Sequence, residues 1–359
     1  MSERAINIAV DAMGGDYYPE VPILGSLWAL NVWPDGRLAV KLVGDQAVIN
    51  REIQRIHTSK LYKFRKKYRD GDGRITVVHA PEVIGMEEKL VSIRKKPRSS
   101  IHVGLNLVRE GQADAFISAG NSGAIMAVAL VVLKRIEGVD RPAIATVFPT
   151  RKKPCVVLDV GANAECTPQN LLQFGIMGSI YARHVLDINN PLVGLMSIGE
   201  EDEKGDSVIV AANKLLRQYH AVGNINFLGN IEGWDIFPGK VQVVVCNGLV
   251  GNVILKMAET FFPTLVDALT EKVKTGGLDQ KLFAGIAKTG LKPTIGSLKR
   301  DFDYEEYGGA PLLGIPFPVI ISHGSSSRKA IANAIFKSCL AVRHDVAGKI
   351  RQSFQTLNT

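Results

Sequence analysis

Short runs of aliphatic and β-branched residues, apolar along their whole length, alternate with longer helix-patterned stretches throughout the chain. The predicted strands are INIAVDA, AVKLVGD, ITVVHA, AFISAG, IATVFP, CVVLDVGA, LVGLMSIG, INFLGN, VQVVVCNG and VIISHG. Helices are predicted between many of them, among others at 100–110, 122–136, 168–186, 206–220 and 325–343. A strand that is apolar on both faces must be covered on both. Regular alternation of such strands with helices implies an α/β protein with a mainly parallel sheet between helical layers. Ligands of such sheets sit at the carboxyl ends of strands, so the polar tails of these runs are the first place to look for chemistry.

At 359 residues the chain is expected to form one large unit or two merged ones. A net charge of +8 favours an anionic partner, without choosing among nucleic acid, membrane, acidic protein and phosphate. Cys155, Cys166, Cys246 and Cys339 form no C-x-x-C pair, so neither a metal site nor a disulfide framework is expected. The opening MSERAINIAVDAMGG reads directly as a strand, and a cytoplasmic location is expected. The longest apolar stretch, 124–133, is well short of the ~20 residues that span a bilayer, which leaves peripheral membrane contact open.

Residues 259–304 break the rhythm. Phe261, Phe262, Leu265, Val266, Leu269 and Val273 fit a helical stripe, and a second helix begins after Gly276 and Gly277. Leu282, Phe283 and Ile286 lie among lysines. The segment reads as a helical hairpin inserted into a core of 1–258 and 305–359. It is either a dimerisation hairpin, or a tip that enters an anionic membrane surface, or both.

Seven glycine-bearing turns follow predicted strands: DAMGGD (11–16), AGNSG (119–123), DVGAN (159–163), IGEE (198–201), GNIEG (229–233), NGLVGN (247–252) and HGSS (323–326). They are expected on one edge of the sheet. Each alone is an ordinary turn. Together they suit an oxyanion, because glycine lets backbone approach a ligand and Asn and Ser add neutral donors. The chain has no P-loop, no G-x-G-x-x-G after the first strand, no H-E-x-x-H and no G-x-S-x-G. An enzyme without such a nucleophile can let one substrate attack another, with catalysis by positioning and electrostatics.

The ordered set of DAMGGD, AGNSGA, DVGAN, SIGEEDEKG, GNIEG, GLVGNVILK and YGGAPLLG…ISHGSSS resembles the bacterial phosphate acyltransferases of phospholipid synthesis (PlsX type, acyl-ACP:phosphate acyltransferase). The resemblance runs from about Ile6 to about Leu340. It implies a three-layer α/β/α sandwich like isocitrate dehydrogenases and phosphotransacetylases. It also implies phosphate attack on a long-chain acyl thioester of acyl carrier protein, no cofactor, a homodimer and peripheral attachment to the cell membrane. No nucleic-acid partner is implied. Two departures stand out: Asn247 replaces the usual Asp, and Leu90 replaces a usual proline. If that missing carboxylate serves as a base in the family, the role is in question here.

Read by this chemistry, Gly120, Asn121, Ser122 and Gly123 are the first candidates for phosphate, through amides at a helix N-terminus. Asn163 and Asn252 are candidate oxyanion donors, or else stabilisers of their turns. Asp159, Gly161, Gly251, Gly324 and Ser325 complete the substrate-binding turns. Lys256, one helical turn beyond Asn252, either neutralises charge or is a solvated lysine. His323 either moves a proton or is a hydrogen-bonded structural residue. Leu282, Phe283 and Ile286 are the expected membrane contacts, and no metal is expected. A transfer from short-chain acyl-CoA is the nearest rival activity. A metal- and NAD-dependent dehydrogenase and a non-enzymatic binding module remain as other classes.

Overall fold

The computed structural model describes residues 4–33, 36–59, 73–88, 93–275 and 304–357. The predicted strands form β1 (Ile6–Asp11), β2 (Leu38–Gly44), β3 (Ile75–His79), β4 (Ala115–Ser118), β5 (Ala143–Phe148), β6 (Cys155–Leu158), β7 (Leu192–Met196), β8 (Asn226–Ile231), β9 (Val243–Val245) and β11 (Val319–Ile321). An additional strand, β10 (Ala310–Leu313), escapes sequence reading because Pro311 sits inside a four-residue run. The helices are α1 (Glu20–Val32), α2 (Gln46–Thr58), α3 (Ser100–Arg109), α4 (Ser122–Val132), α5 (Pro168–Val185), α6 (Ser207–Ala221), α7 (Gly248–Thr275), α8 (Arg328–Arg343) and α9 (Val346–Leu357).

Among the described residues, eleven strands join one sheet, in the order β3-β2-β1-β4-β11-β10-β5-β6-β9-β7-β8. Strand side chains alternate between two helical layers. Ile6, Ile8 and Val10 of β1 pack with α1 and α8, while Ala9 faces the cluster of α3 and α4. In the other half, Val156 and Leu158 of β6 join the cluster of α5, α6 and α9, and Cys155 and Val157 join the one that takes Ile254 and Leu255 of α7.

Strand direction corrects one expectation. β3, β2, β1, β4 and β11 run parallel, and so do β6, β9, β7 and β8. Between these blocks lie three antiparallel junctions, β11/β10, β10/β5 and β5/β6. Three reversals are an odd number, so the two blocks point in opposite senses. The seven turns therefore do not share one edge. Those at 11–16, 119–123 and 323–326 end the first block, while those at 159–163, 198–201, 229–233 and 247–252 end the second.

Helix ends are set by caps. Ser327 accepts from the amides of Lys329 (3.2 Å) and Ala330 (3.4 Å), so α8 starts at Arg328 rather than at Ser325. Asn247 Oδ1 accepts from Val250 N–H at 2.9 Å and opens α7. The expected junction between 258 and 259 falls inside this 28-residue helix. The stretches 60–72 and 276–303, with Leu282, Phe283 and Ile286, lie outside the described residues, as do Leu90 and the side chains of Phe262, Leu265, Val266, Leu269 and Val273.

Candidate active site

The first group of turns is built around Asp11 at the end of β1, a carboxylate only 2% exposed. Its Oδ2 accepts from Ser118 Oγ at 2.6 Å, and its Oδ1 accepts from Met13 N–H at 3.0 Å. Ser118 Oγ in turn accepts from Gly120 N–H at 3.0 Å. Burial pushes the Asp11 carboxyl above the usual range, opposed by hydrogen bonds from Ser118, Ser100 and the amides of Met13 and Gly14. A Cβ on Gly14 would stand 2.7 Å from Gly120 N and 2.8 Å from Asp11 Oδ2, so the turns meet backbone against backbone. Asp16 N–H donates to Gly324 O at 2.8 Å, which ties the end of β1 to the end of β11.

Asn121 corrects a second expectation. Its Oδ1 caps α4 by accepting from Ala124 N–H at 3.0 Å. Its Nδ2 donates to Met86 O at 2.8 Å, with longer contacts to Gly85 O and Glu88 O. This side chain straps the 85–88 segment over the helix start and is committed to protein partners. Ser122 and Gly123 follow as the first two residues of α4, where helix geometry leaves amides without an intrahelical acceptor. Ser122 is exposed and Gly123 partly exposed, so the start of α4 reaches solvent.

His323 is exposed at the end of β11. Ser325 N–H donates to its Nδ1 at 3.2 Å, and Ser325 Oγ lies 2.8 Å from the same nitrogen. With Nδ1 accepting, the neutral ring carries its proton on Nε2.

The second group centres on Asp159, which is fully buried. Its Oδ1 accepts from the amides of Ile144 (3.0 Å), Ala162 (3.1 Å) and Gly161 (3.3 Å). Its Oδ2 accepts from Asn163 N–H (2.5 Å) and Asn163 Nδ2 (3.0 Å). Burial raises this carboxyl, and the donors around it pull the other way. Asn163 also donates through Nδ2 to Pro142 O at 2.8 Å. Both amide hydrogens of this buried residue thus point into the protein, so Asn163 is a scaffold residue and not an oxyanion donor. The α7 N-terminus rests on this turn. Gly248 N–H donates to Asn163 O at 2.7 Å, and a Cβ on Gly251 would lie 1.9 Å from Asp159 O. Asn252 is exposed, with its Oδ1 3.9 Å from where a Cβ on Gly161 would project. Lys256 is exposed and pairs with Glu259 Oε2 at 2.8 Å.

Two further features were missed in the sequence. Ser118 is the link between Asp11 and the Gly120 turn, and its only signal is a serine closing an apolar strand. Asn213 and Asn230, both buried, clasp the acidic 198–206 loop: Asn213 Nδ2 donates to Asp202 (3.1 Å) and Asn230 Oδ1 (2.9 Å), and Asn230 Nδ2 donates to Glu201 O (2.7 Å). Cys155, Cys166 and Cys246 are not activated. Burial pushes Cys155 up to about 12 and Cys166 up to about 11, and it raises Cys246 as well.

An α/β sheet of this topology, with backbone amides gathered at glycine-rich strand ends, has the phosphotransacetylase fold. A phosphotransacetylase from Streptococcus pyogenes matches with a TM-score of 0.60 at 18% identity, over 95% of this chain and 94% of that one. The EutD phosphotransacetylase from Staphylococcus aureus matches with a TM-score of 0.58 at 16% identity, over 94% of each chain. Residues 6–349 match the family described as fatty acid synthesis protein. The phosphate acyltransferase of Pelotomaculum thermopropionicum is 44% identical over 98% of this chain and 96% of its own length. That of Endomicrobium trichonymphae is 42% identical over 98% of both. The chain belongs to this phosphate acyltransferase family and is an acyltransferase.

Proposed function

We propose that the enzyme transfers a long acyl chain from acyl carrier protein to inorganic phosphate, an early step of phospholipid synthesis. The observation that carries this reading is the corner at the start of α4, Ser122 and Gly123, beside the Gly120 turn whose own amide is taken by Ser118 Oγ. Free amides at a helix N-terminus and an exposed hydroxyl suit an anion there. Phosphate supplies its own nucleophile. A phosphate oxygen attacks the thioester carbonyl carbon, the C–S bond breaks, and sulfur leaves with the electron pair as the carrier's thiolate. His323, whose ring Ser325 holds, is assigned to this step as a hydrogen-bond donor to the departing sulfur, and the thiolate takes its proton from water. Asp159, Gly161 and Gly251 hold the second group, from which Asn252 is assigned as a donor to the developing oxyanion and Lys256 as a neutralising charge. Asn247 retains the capping function that Asp would serve, because either side chain accepts from helix amides.

The finer expectations about assembly rest on α7. Leu249, Val253, Met257 and Phe261 lie four residues apart and are all exposed, between 54% and 67%. Such a stripe supports the homodimer and the membrane contact expected of this segment. Among the described residues no helix is long and apolar enough to cross a membrane. Peripheral attachment at the inner face of the cell membrane and a cytoplasmic location are part of this proposal, resting on the exposed stripe of α7.

The test is thiol release by the full-length protein with palmitoyl-ACP or acetyl-CoA, each with and without phosphate. Phosphate-dependent release from palmitoyl-ACP is expected. Release from acetyl-CoA alone would replace this reading with short-chain transfer, and no release from either would point to a binding module.

A further inference from the structure

A basic turn, 94–98, packs beside the α4 corner and has no role in the site above. Ile93 anchors one end of it: this residue is 3% exposed and lies in the cluster that holds Ala124 and Ile125 at the start of α4. Ser99, fully buried, anchors the other end by capping α3. Between these anchors Arg94, Lys95 and Arg98 are exposed. Lys96 is committed to the protein, pairing with Glu88 and donating to Val83 O at 2.7 Å. Arg98 lies 3.7 Å from Glu82 with its side chain 72% exposed. Among the described residues no carboxylate pairs with Arg94 or Lys95. The Asn121 side chain that caps α4 also holds Met86 O and Glu88 O, the latter in the residue that Lys96 pairs with, so the turn and the corner share one support. Met86 is half-exposed, and its Cε lies 3.2 Å from where a Cβ on Gly324 would project.

We infer that Arg94, Lys95 and Arg98 form the docking surface for the acidic carrier protein that delivers the acyl thioester. The inference rests on the proposed function for the identity of that partner. Two cations without an acid of their own, and a third held only at long range, attract an anionic protein without first giving up partners in this chain. The turn that carries them is pinned at both ends, so little order has to be gained on binding. A membrane or a nucleic acid would meet the same charges. Met86 favours the acyl carrier, because it sets an exposed apolar side chain between the α4 cap and the Gly324 turn, where a thioester-bound chain has carbons to cover it. Charges at a rim steer encounter and leave the reacting atoms alone, so they govern KM and its salt dependence rather than kcat.

The test compares the full-length protein with two double variants. One is Arg94→Glu with Lys95→Glu; the other is Lys152→Glu with Lys153→Glu, the same charge change at exposed residues of another loop. Binding of holo acyl carrier protein without an acyl chain is measured by titration calorimetry, and thiol release from palmitoyl-ACP by kinetics. The Arg94 and Lys95 variant is expected to bind the carrier at least ~10-fold more weakly and to raise KM for palmitoyl-ACP by a similar factor at unchanged kcat. Its turnover of palmitoyl-pantetheine, which has no carrier protein, should stay at the wild-type level. The Lys152 and Lys153 variant should match the wild type throughout. Carrier binding should weaken with added salt, more steeply in the wild type than in the Arg94 and Lys95 variant. Equal carrier binding by the two variants overturns the inference and leaves the proposed reaction standing. So does a raised KM for phosphate alone, or loss of binding to anionic vesicles with carrier binding intact. Absence of wild-type thiol release from palmitoyl-ACP would remove the proposed reaction instead, while the calorimetry, which needs no turnover, still decides the docking.

Discussion

Asp11 and Asp159 are carboxylates at strand ends whose lone pairs are met by protein donors instead of water. Asp11 carries a consequence for stability. Burial holds its pKa above the value of 3.8 it has when free, so between these two values the folded chain binds a proton that the unfolded chain has released. Stability then falls as pH rises through that window, by at most about 1.4 kcal/mol per pH unit for one group. Asp11→Asn removes this titration. The stability of the wild type relative to the variant is expected to shrink as pH is raised from 3.8, read from urea melts in an acidic pH series. A difference that grows with pH would contradict the assignment. At this scale the sequence identifies which residue types gather at strand ends but not where their atoms point. Asn163 and Asn252 look equivalent in the sequence, yet one donates inward to Asp159 and Pro142 while the other is exposed. Asn121 similarly shows a polar turn residue in the sequence and a strap to residues 85–88 in the fold.

The start of α7 shows how an element can be misread. Gly248 and Gly251 look like turn residues in NGLVGN, which hides the first turn of a long helix. They are glycines because the helix lies directly on the 159–163 turn. A methyl group on Gly251 would lie 1.9 Å from Asp159 O, which the packed backbone can relieve only by shifting the helix. Gly251→Ala is expected to destabilise the protein by about 3 kcal/mol, measured as a lowered urea midpoint with an unchanged slope. Val250→Ala, at a partly exposed neighbour, is expected to change stability by less than about 1 kcal/mol. An unaffected Gly251→Ala would mean that this contact is not made. Most strands were legible, since runs such as CVVL and VVV are apolar on both faces. β10 was not, because Pro311 makes its run look like a loop.

Across the whole molecule, the sequence reveals the alternation of strands and helices but not the direction of each strand in the sheet. A run of apolar residues reads the same up or down. The three antiparallel junctions around β10 and β5 thus divide the glycine turns into two groups where one edge was expected. This division makes the central claim sharp, because an inorganic nucleophile has two distinct places to bind. Soaking crystals in orthophosphate and locating the anion is the direct measurement. Density against the amides of Ser122 and Gly123 and the Ser122 hydroxyl is the expected result. Phosphate lodged instead between Gly161 and Asn252, with the α4 corner empty, would contradict it.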